Sequence, residues 1–249
     1  MAGYNEAFAR FYDSLTEDVD YKGKADFILD IVTRFKDKCE LVLDLACGTG
    51  SMAVELASRG IEVIAVDGSP EMLARGMEKS MGITPRVLFL CQDMEELDLY
   101  GTVDVTICML DSLNHVEDIH SIKEIFRRVA LFTEPGGLFL FDVNTPYKHR
   151  EVLADTTFVY DDKDVYCVWQ NDYDPADESV GIHLDFFVRE KSDYYRRWQE
   201  DFREYCYGID QLKEIADEAG FELIELVGDY CYQKPKAYEQ RVVFITRRR

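Results

Sequence analysis

The sequence predicts an α/β protein: a doubly wound, mostly parallel sheet of seven strands, with an antiparallel insertion after the fifth. Three observations carry that expectation. Leu41-Val-Leu-Asp-Leu45 is apolar enough to be buried on both faces, as a central strand of a helix-covered sheet is, and it runs into a glycine turn and then the helical composition of Ser51–Ser58. Apolar runs and helical periodicity then alternate as far as Asp142, the order of successive βαβ units. From 157 to 207 the period drops to two and the composition turns to Tyr, Phe, Trp and Val, which reads as an antiparallel meander.

A chain of 249 residues, 47% of them apolar, has room for one such core plus an insertion. Its 28 Lys and Arg against 49 Asp and Glu leave a net charge of −21. That field repels phosphate backbones, so nucleic acid is not expected as a partner, and the single basic run, Arg247–Arg249, is too short to offset it. Seven cysteines form no C-x-x-C pair and four histidines show no zinc spacing, so no metal is expected and the cysteines read as reduced thiols. No window approaches a membrane span, and Met1 to Glu6 begins no basic-then-apolar leader; a cytoplasmic protein without a membrane partner is expected.

Tyr4, Phe8, Phe11, Tyr12 and Leu15 recur at helical spacing and predict an amphipathic helix over 4–15. Ala25, Ile28, Leu29, Val32 and Phe35 predict a second, from Tyr21 to Phe35. The strand at 41–45 carries Asp44 near its end and leads into Gly48-x-Gly50, where glycine lets the backbone fold tightly and come close to a ligand. The glycines alone also satisfy a loose dinucleotide fingerprint. Asp44 argues otherwise, because a carboxylate there repels a pyrophosphate but suits a ligand that carries an ammonium group and no phosphate. Ile61–Asp67 is the second strand, and its terminal acid can accept both hydroxyls of a ribose. Ser69 caps the next helix, with Pro70 and Glu71 in its first turn.

Arg86–Cys91 is the third strand, with Asp93 and Met94 in the loop after it. Val103–Leu110 is the fourth, and Asp111 to His115 sit at its carboxyl end, where an open α/β sheet places its chemistry. Asp118 caps a helix that buries Ile119, Ile122, Ile125, Phe126, Val129 and Phe132; Glu134-Pro-Gly-Gly137 then turns into the fifth strand, Leu138–Asp142. Ile209–Ala219 predicts a further helix, and Glu222–Val227 and Arg241–Thr246 the last two strands.

Asp44-Leu-Ala-Cys-Gly-Thr-Gly50, with Asp67 and Asp93 following in series, resembles the first three motifs of the class I S-adenosylmethionine-dependent methyltransferases, and the resemblance covers nearly the whole chain. It implies the Rossmann-like methyltransferase fold, with the final two strands as an edge hairpin and the last one antiparallel, and S-adenosyl-L-methionine as cofactor. It implies further that Asp44 holds the methionine ammonium, directly or through water, while Gly48 and Gly50 admit the backbone and Asp67 takes the ribose. Gly68 and Met72 would lie near the adenine and Asp93 with Met94 would hold its ring; Ala46 and Leu110 complete the implied cofactor-binding set.

Met109-x-x-Ser112-x-x-His115 is similar to the matching segment of sugar-amine N-methyltransferases and departs from the Asn/Asp-Pro-Pro-Tyr signature of enzymes acting on adenine or protein glutamine. His115 could hydrogen-bond the acceptor or take its proton, or simply cap the next helix. Tyr4 and Tyr12 join it as catalytic candidates, because the N-terminal helix of such enzymes often closes over the cofactor. The insertion resembles the lid of glycine-type and sugar-amine N-methyltransferases. Between Glu151 and Tyr205 it holds 6 bases and 15 acids, a net −9, which with its aromatic rings suits a cationic amine. The expected organisation is a cofactor-binding domain of residues 1–145 and 208–249, with 146–207 as a lid over the acceptor. The expected activity is methyl transfer to a small-molecule acceptor, an amine nitrogen. O-methylation of a carboxylate or phenol, RNA methylation and a non-catalytic cofactor-binding module stand as alternatives, and aromatic side chains of the insertion could equally form a homodimer face.

Overall fold

The computed structural model describes residues 6–36, 38–190 and 194–249. Two helices, α1 (Glu6–Leu15) and α2 (Tyr21–Phe35), precede β1 (Leu41–Leu45). Then come α3 (Ser51–Ser58), β2 (Glu62–Asp67), α4 (Pro70–Lys79), β3 (Leu88–Cys91), β4 (Val103–Cys108), α5 (Ile119–Phe132) and β5 (Thr133–Asn144). The insertion contributes β6 (Thr157–Asp161), β7 (Val165–Asp174), β8 (Ser179–Arg189) and β9 (Tyr195–Glu204), and the chain closes with α6 (Ile209–Glu218), β10 (Phe221–Gly228) and β11 (Arg241–Arg248). Among the described residues no helix is long and apolar enough to cross a membrane.

The main sheet has seven strands in the order β10-β11-β5-β4-β1-β2-β3, parallel except for β11, which runs antiparallel to both neighbours. This is the sheet the sequence predicts. Helices cover both faces, so successive side chains of β1 fall into two separate cores: Leu43 and Leu45 pack with α5 and α6, and Val42 with α2 and α3. That two-sided burial explains why the strand reads as an unbroken apolar run. In the first core Phe141 stacks on Phe244 at 4.5 Å, and Phe126 meets Phe139 and Phe141 edge-on at 5.3 and 5.1 Å. Each such pair adds about 0.5–1.5 kcal/mol beyond its buried area.

Two elements differ from the reading of the sequence. Pro135-Gly136-Gly137 does not separate α5 from β5 but forms a bulge inside the strand, Thr133 pairing with Val103 and Leu138 with Val105. Gly137 is required there because a Cβ would lie 2.8 Å from the carbonyl oxygen of Asp104. In α2, Phe27 and Ile31 are buried in place of Leu29 and Phe35. The caps fall as predicted: the side chains of Ser69 and Asp118 accept from the backbone N–H groups of Met72 and His120.

The insertion is a four-stranded antiparallel sheet, β6-β7-β8-β9. It does not stand apart from the main sheet, because its apolar face packs on α1. Phe8 and Phe11 both meet the ring of Phe186, and Met72 of α4 joins the same cluster. Helix α1 is also tied across the glycine turn. The carboxylate of Asp13 accepts from the Thr49 hydroxyl at 2.6 Å and from Lys79 Nζ at 2.8 Å. α1 thereby lies between the two sheets, over the carboxyl ends of the parallel strands.

Candidate functional site

Four strands that run the same way, β1, β2, β4 and β5, deliver their carboxyl ends to one edge of the sheet. A cavity of about 350 Å³ opens there, bounded by α1 on one side and the insertion on another. Of the residues picked out from the sequence, Tyr12, Ala46, Gly48, Asp67, Gly68, Met72, Met94, Leu110 and His115 line it. Asp44, Gly50 and Asp93 do not line it, Asp93 instead lining a neighbouring cavity with Met94 and His115, and Tyr4 lies outside the described residues.

Asp44 is 3% exposed at the end of β1. One of its oxygens accepts from the Ala53 N–H at the start of α3, and the other, Oδ2, has no partner among the described residues. Burial, reinforced by the nearby charge of Asp67, pushes the carboxyl up to about 7. A buried carboxylate with an empty oxygen is costly alone and is relieved by a cationic donor.

The two turn glycines serve different ends. Gly48 has φ of +55°, and a Cβ there would meet only the Tyr12 ring, at 4.0 Å, so this position faces the cavity. Gly50 has φ of +69° and its Cβ would lie 2.9 Å from the Phe89 ring; its glycine is demanded by packing of the turn on α4 and β3. Asp67 joins the turn to β2, Oδ2 accepting from the Gly48 N–H and Oδ1 from the Ser69 N–H, each at 2.8 Å. Burial raises its carboxyl above the ordinary value, against the pull of those two donors. Each oxygen retains lone-pair capacity for a hydroxyl donor from the cavity. The carboxylate of Asp93 approaches Gly68, where a Cβ would sit 2.9 Å from its Oδ1, and the buried side chain of Met94 closes the floor beside it.

The far half of the cavity is built largely from residues the sequence did not single out. Leu110 and Asp111 both take left-handed backbone, φ +56° and +55°, a conformation costing roughly 1–3 kcal/mol per residue. Asp142, fully buried at the end of β5, holds them there, its oxygens accepting the N–H of Leu110 at 2.9 Å and of Asp111 at 2.6 Å. Tyr230 and Arg241 also donate to Asp142, and Arg241 reaches Asp111 at 2.7 Å. Burial alone would raise the Asp111 carboxyl; Arg241, Lys148 and His115 outweigh it and hold that group well below the usual carboxylate range. Arg241 arrives because β11 is antiparallel: its first residue pairs with Asn144, the last of β5, at the edge where the parallel strands end.

Asn144 Nδ2 donates at 2.8 Å both to Asp111 Oδ2 and to Glu204 Oε2, so one amide joins the main sheet to the last residue of β9. His115 completes this half. Its ring packs on Phe202 at 5.3 Å, and a polar side-chain atom of each of Asp111, His115 and Glu204 lies within 4.8 Å of the others. It does not cap α5, since Asp118 does. From the insertion, Tyr160, Trp169, Leu184 and Phe202 supply an apolar and aromatic wall.

A family model described as a methyltransferase domain matches residues 42–137, from β1 to the bulge of β5. A Geobacillus sp. (strain WCH70) protein assigned as a methyltransferase is 32% identical over 98% of this chain and 99% of its own. A glycine/sarcosine N-methyltransferase of Parasynechococcus marenigrum is 27% identical, over 94% of this chain and 82% of its own. The crystal structure of an S-adenosylmethionine-dependent methyltransferase from Clostridium acetobutylicum superposes with a TM-score of 0.86 at 32% identity, covering 97% of this chain and 98% of that one.

Proposed function

This chain belongs to the S-adenosylmethionine-dependent methyltransferases, and from that premise we propose that it methylates the nitrogen of a small-molecule amine. One observation carries the choice of acceptor. The cavity wall away from the glycine turn presents the buried carboxylate of Glu204 and the half-buried one of Asp111, the latter paired with Arg241, beside His115 and an aromatic wall. Such a wall favours a cationic amine over a carboxylate or a phenolate. The acidic insertion and the likeness to a glycine/sarcosine N-methyltransferase support the same reading.

The residues present fit the cofactor. The unpartnered oxygen of Asp44 suits its ammonium, Asp67 its ribose hydroxyls, Asp93 with Met94 and Met72 its adenine, and the left-handed turn at Gly48 leaves space against the backbone. When bound, S-adenosylmethionine supplies an already activated methyl group. What the chain adds is position and dryness: fixing a nitrogen lone pair in line and excluding water are effects that supply roughly 7–11 kcal/mol. His115 and Tyr12 face the shared cavity and orient the acceptor, and residues 146–207 serve as the lid over it.

Incubating the purified chain with S-adenosylmethionine and matched panels of amines, carboxylates and phenols, read by mass spectrometry, tests the proposal. N-methylated products are expected, and His115→Ala should lower turnover at least tenfold without altering cofactor affinity. Methyl esters or ethers as the only products would overturn the amine reading.

A further inference from the structure

Glu204 and His149 stand side by side at the two ends of the insertion, Glu204 closing β9 and His149 in the π-helical turn Lys148–Leu153 that follows β5. Both are buried, His149 fully and Glu204 to 4% exposure, and Glu204 lines the cavity. Nδ1 of His149 lies 3.1 Å from the carbonyl oxygen of Glu178. A carbonyl only accepts, so Nδ1 carries the ring hydrogen, and in the neutral imidazole Nε2 is a bare lone pair. That nitrogen is buried, makes no hydrogen bond among the described residues, and lies 3.4 Å from Glu204 Oε2. In that neutral form two acceptors face each other with no hydrogen between them.

The surrounding groups leave this gap in place. Asn144 donates to Glu204 Oε2 but does not reach the gap's other side, since its second contact is Asp111. Lys148 Nζ donates to Asn144 Oδ1 at 3.0 Å, and Arg241 is engaged by Asp111 and Asp142. Arg150 faces the Glu178 carboxylate at 3.4 Å, away from the pair. His115, within 4.8 Å of the Glu204 carboxylate, lies on the cavity side.

We propose that Glu204 backed by His149 is the proton acceptor of the reaction, a role that rests on the amine reading above. An ammonium acceptor entering beside Glu204 gives one N–H proton to the pair, where it is held between Oε2 and Nε2. The freed nitrogen lone pair forms the new N–C bond as the S–C bond breaks, the electrons of that bond staying on sulfur. The product nitrogen keeps one positive charge, and the proton passes from the pair to solvent when product leaves. Glu204 is thus the catalytic base and His149 a positioning residue, and His115 is left to orient the acceptor.

The test has two arms on the full-length chain. The first is the ¹⁵N spectrum of histidine-labelled free protein, with His149 identified by its loss in His149→Gln. The Nδ1–H tautomer with bare Nε2 is expected; an Nε2–H tautomer would make His149 a mere donor to Glu204 and overturn the proposal. The second arm is turnover against pH for Glu204→Gln on an amine found by the panel. A fall of about 10²–10⁴-fold at neutral pH is expected, recovering as pH rises and the amine reaches the enzyme already neutral, with cofactor affinity unchanged. Wild-type turnover in Glu204→Gln, or an equal loss at every pH, overturns the base. If no amine is methylated, the functional reading falls while the tautomer still decides whether the pair is built to receive a proton.

Discussion

Replacing Asp44 by asparagine separates what this carboxylate costs the fold from what it gives the cofactor. Its carboxyl moves from an ordinary 3.8 to about 7 on folding, which corresponds to about 4 kcal/mol against the charged form. The sign follows from proton counting. Between those two values the folded chain binds more protons at this site than the unfolded chain, so its contribution to stability falls as pH rises through the window and is flat above it. An amide at this position does not titrate and has no such slope. The stability of Asp44→Asn relative to the parent should therefore rise by roughly 2–3 kcal/mol between pH 5 and pH 8, whatever constant offset the amide introduces. Urea denaturation of both proteins at the two pH values measures that difference. Calorimetry with S-adenosylmethionine should show the opposite preference: Asp44→Asn loses at least tenfold in affinity, and the parent releases protons on binding below pH 7, as the ammonium fixes the carboxylate in its charged form. Parallel stability curves together with unchanged affinity would refute the reasoning.

Three further outcomes are expected. Asp67→Ala removes the acceptor of two backbone N–H groups in the glycine turn and should weaken both S-adenosylmethionine and S-adenosylhomocysteine by more than tenfold in calorimetry, a loss of at least about 1.4 kcal/mol. Gly50→Ala should destabilise by about 2 kcal/mol or more, against about 1 kcal/mol for Gly48→Ala, because only the former adds an overlap with Phe89 to the strain of a left-handed backbone; denaturant midpoints give the comparison. Arg241→Leu leaves the buried Asp142 and the half-buried Asp111 without their cation and should cost about 3–5 kcal/mol by the same measurement.

The half of the site around the glycine turn was legible because each of its carboxylates sits at or just beyond the end of an apolar run, and local spacing carries that signal: Asp44, Asp67 and Asp93 needed no long-range information. Asp142 ends a strand in the same manner and was read only as a boundary, so the rule that identified the others also reached this one. Arg241 could have been found by a further step, since an antiparallel last strand must begin where its parallel neighbours end. Glu204, Asn144 and His149 were not legible. Their meeting depends on the path of the long insertion, whose return fixes β9 against the main sheet, Tyr205 donating its N–H to the Asn114 carbonyl at 2.6 Å. The Pro-Gly-Gly bulge was misplaced because a turn composition and a strand bulge share the same residues.

Asn144 and Glu204 stand where the insertion leaves the main sheet and where it comes back, while the hairpins joining β6 to β7 and β8 to β9 lie at the opposite end of its strands. The charged groups that the insertion brings to the cavity thus belong to its stem, and its blade supplies only shape and aromatic surface. Stem and blade can change independently. If the proposed amine chemistry holds, a new blade grafted onto this stem would alter which acceptor fits while leaving the proton-accepting groups in place, so substrates could be diversified here by exchanging one segment of sequence.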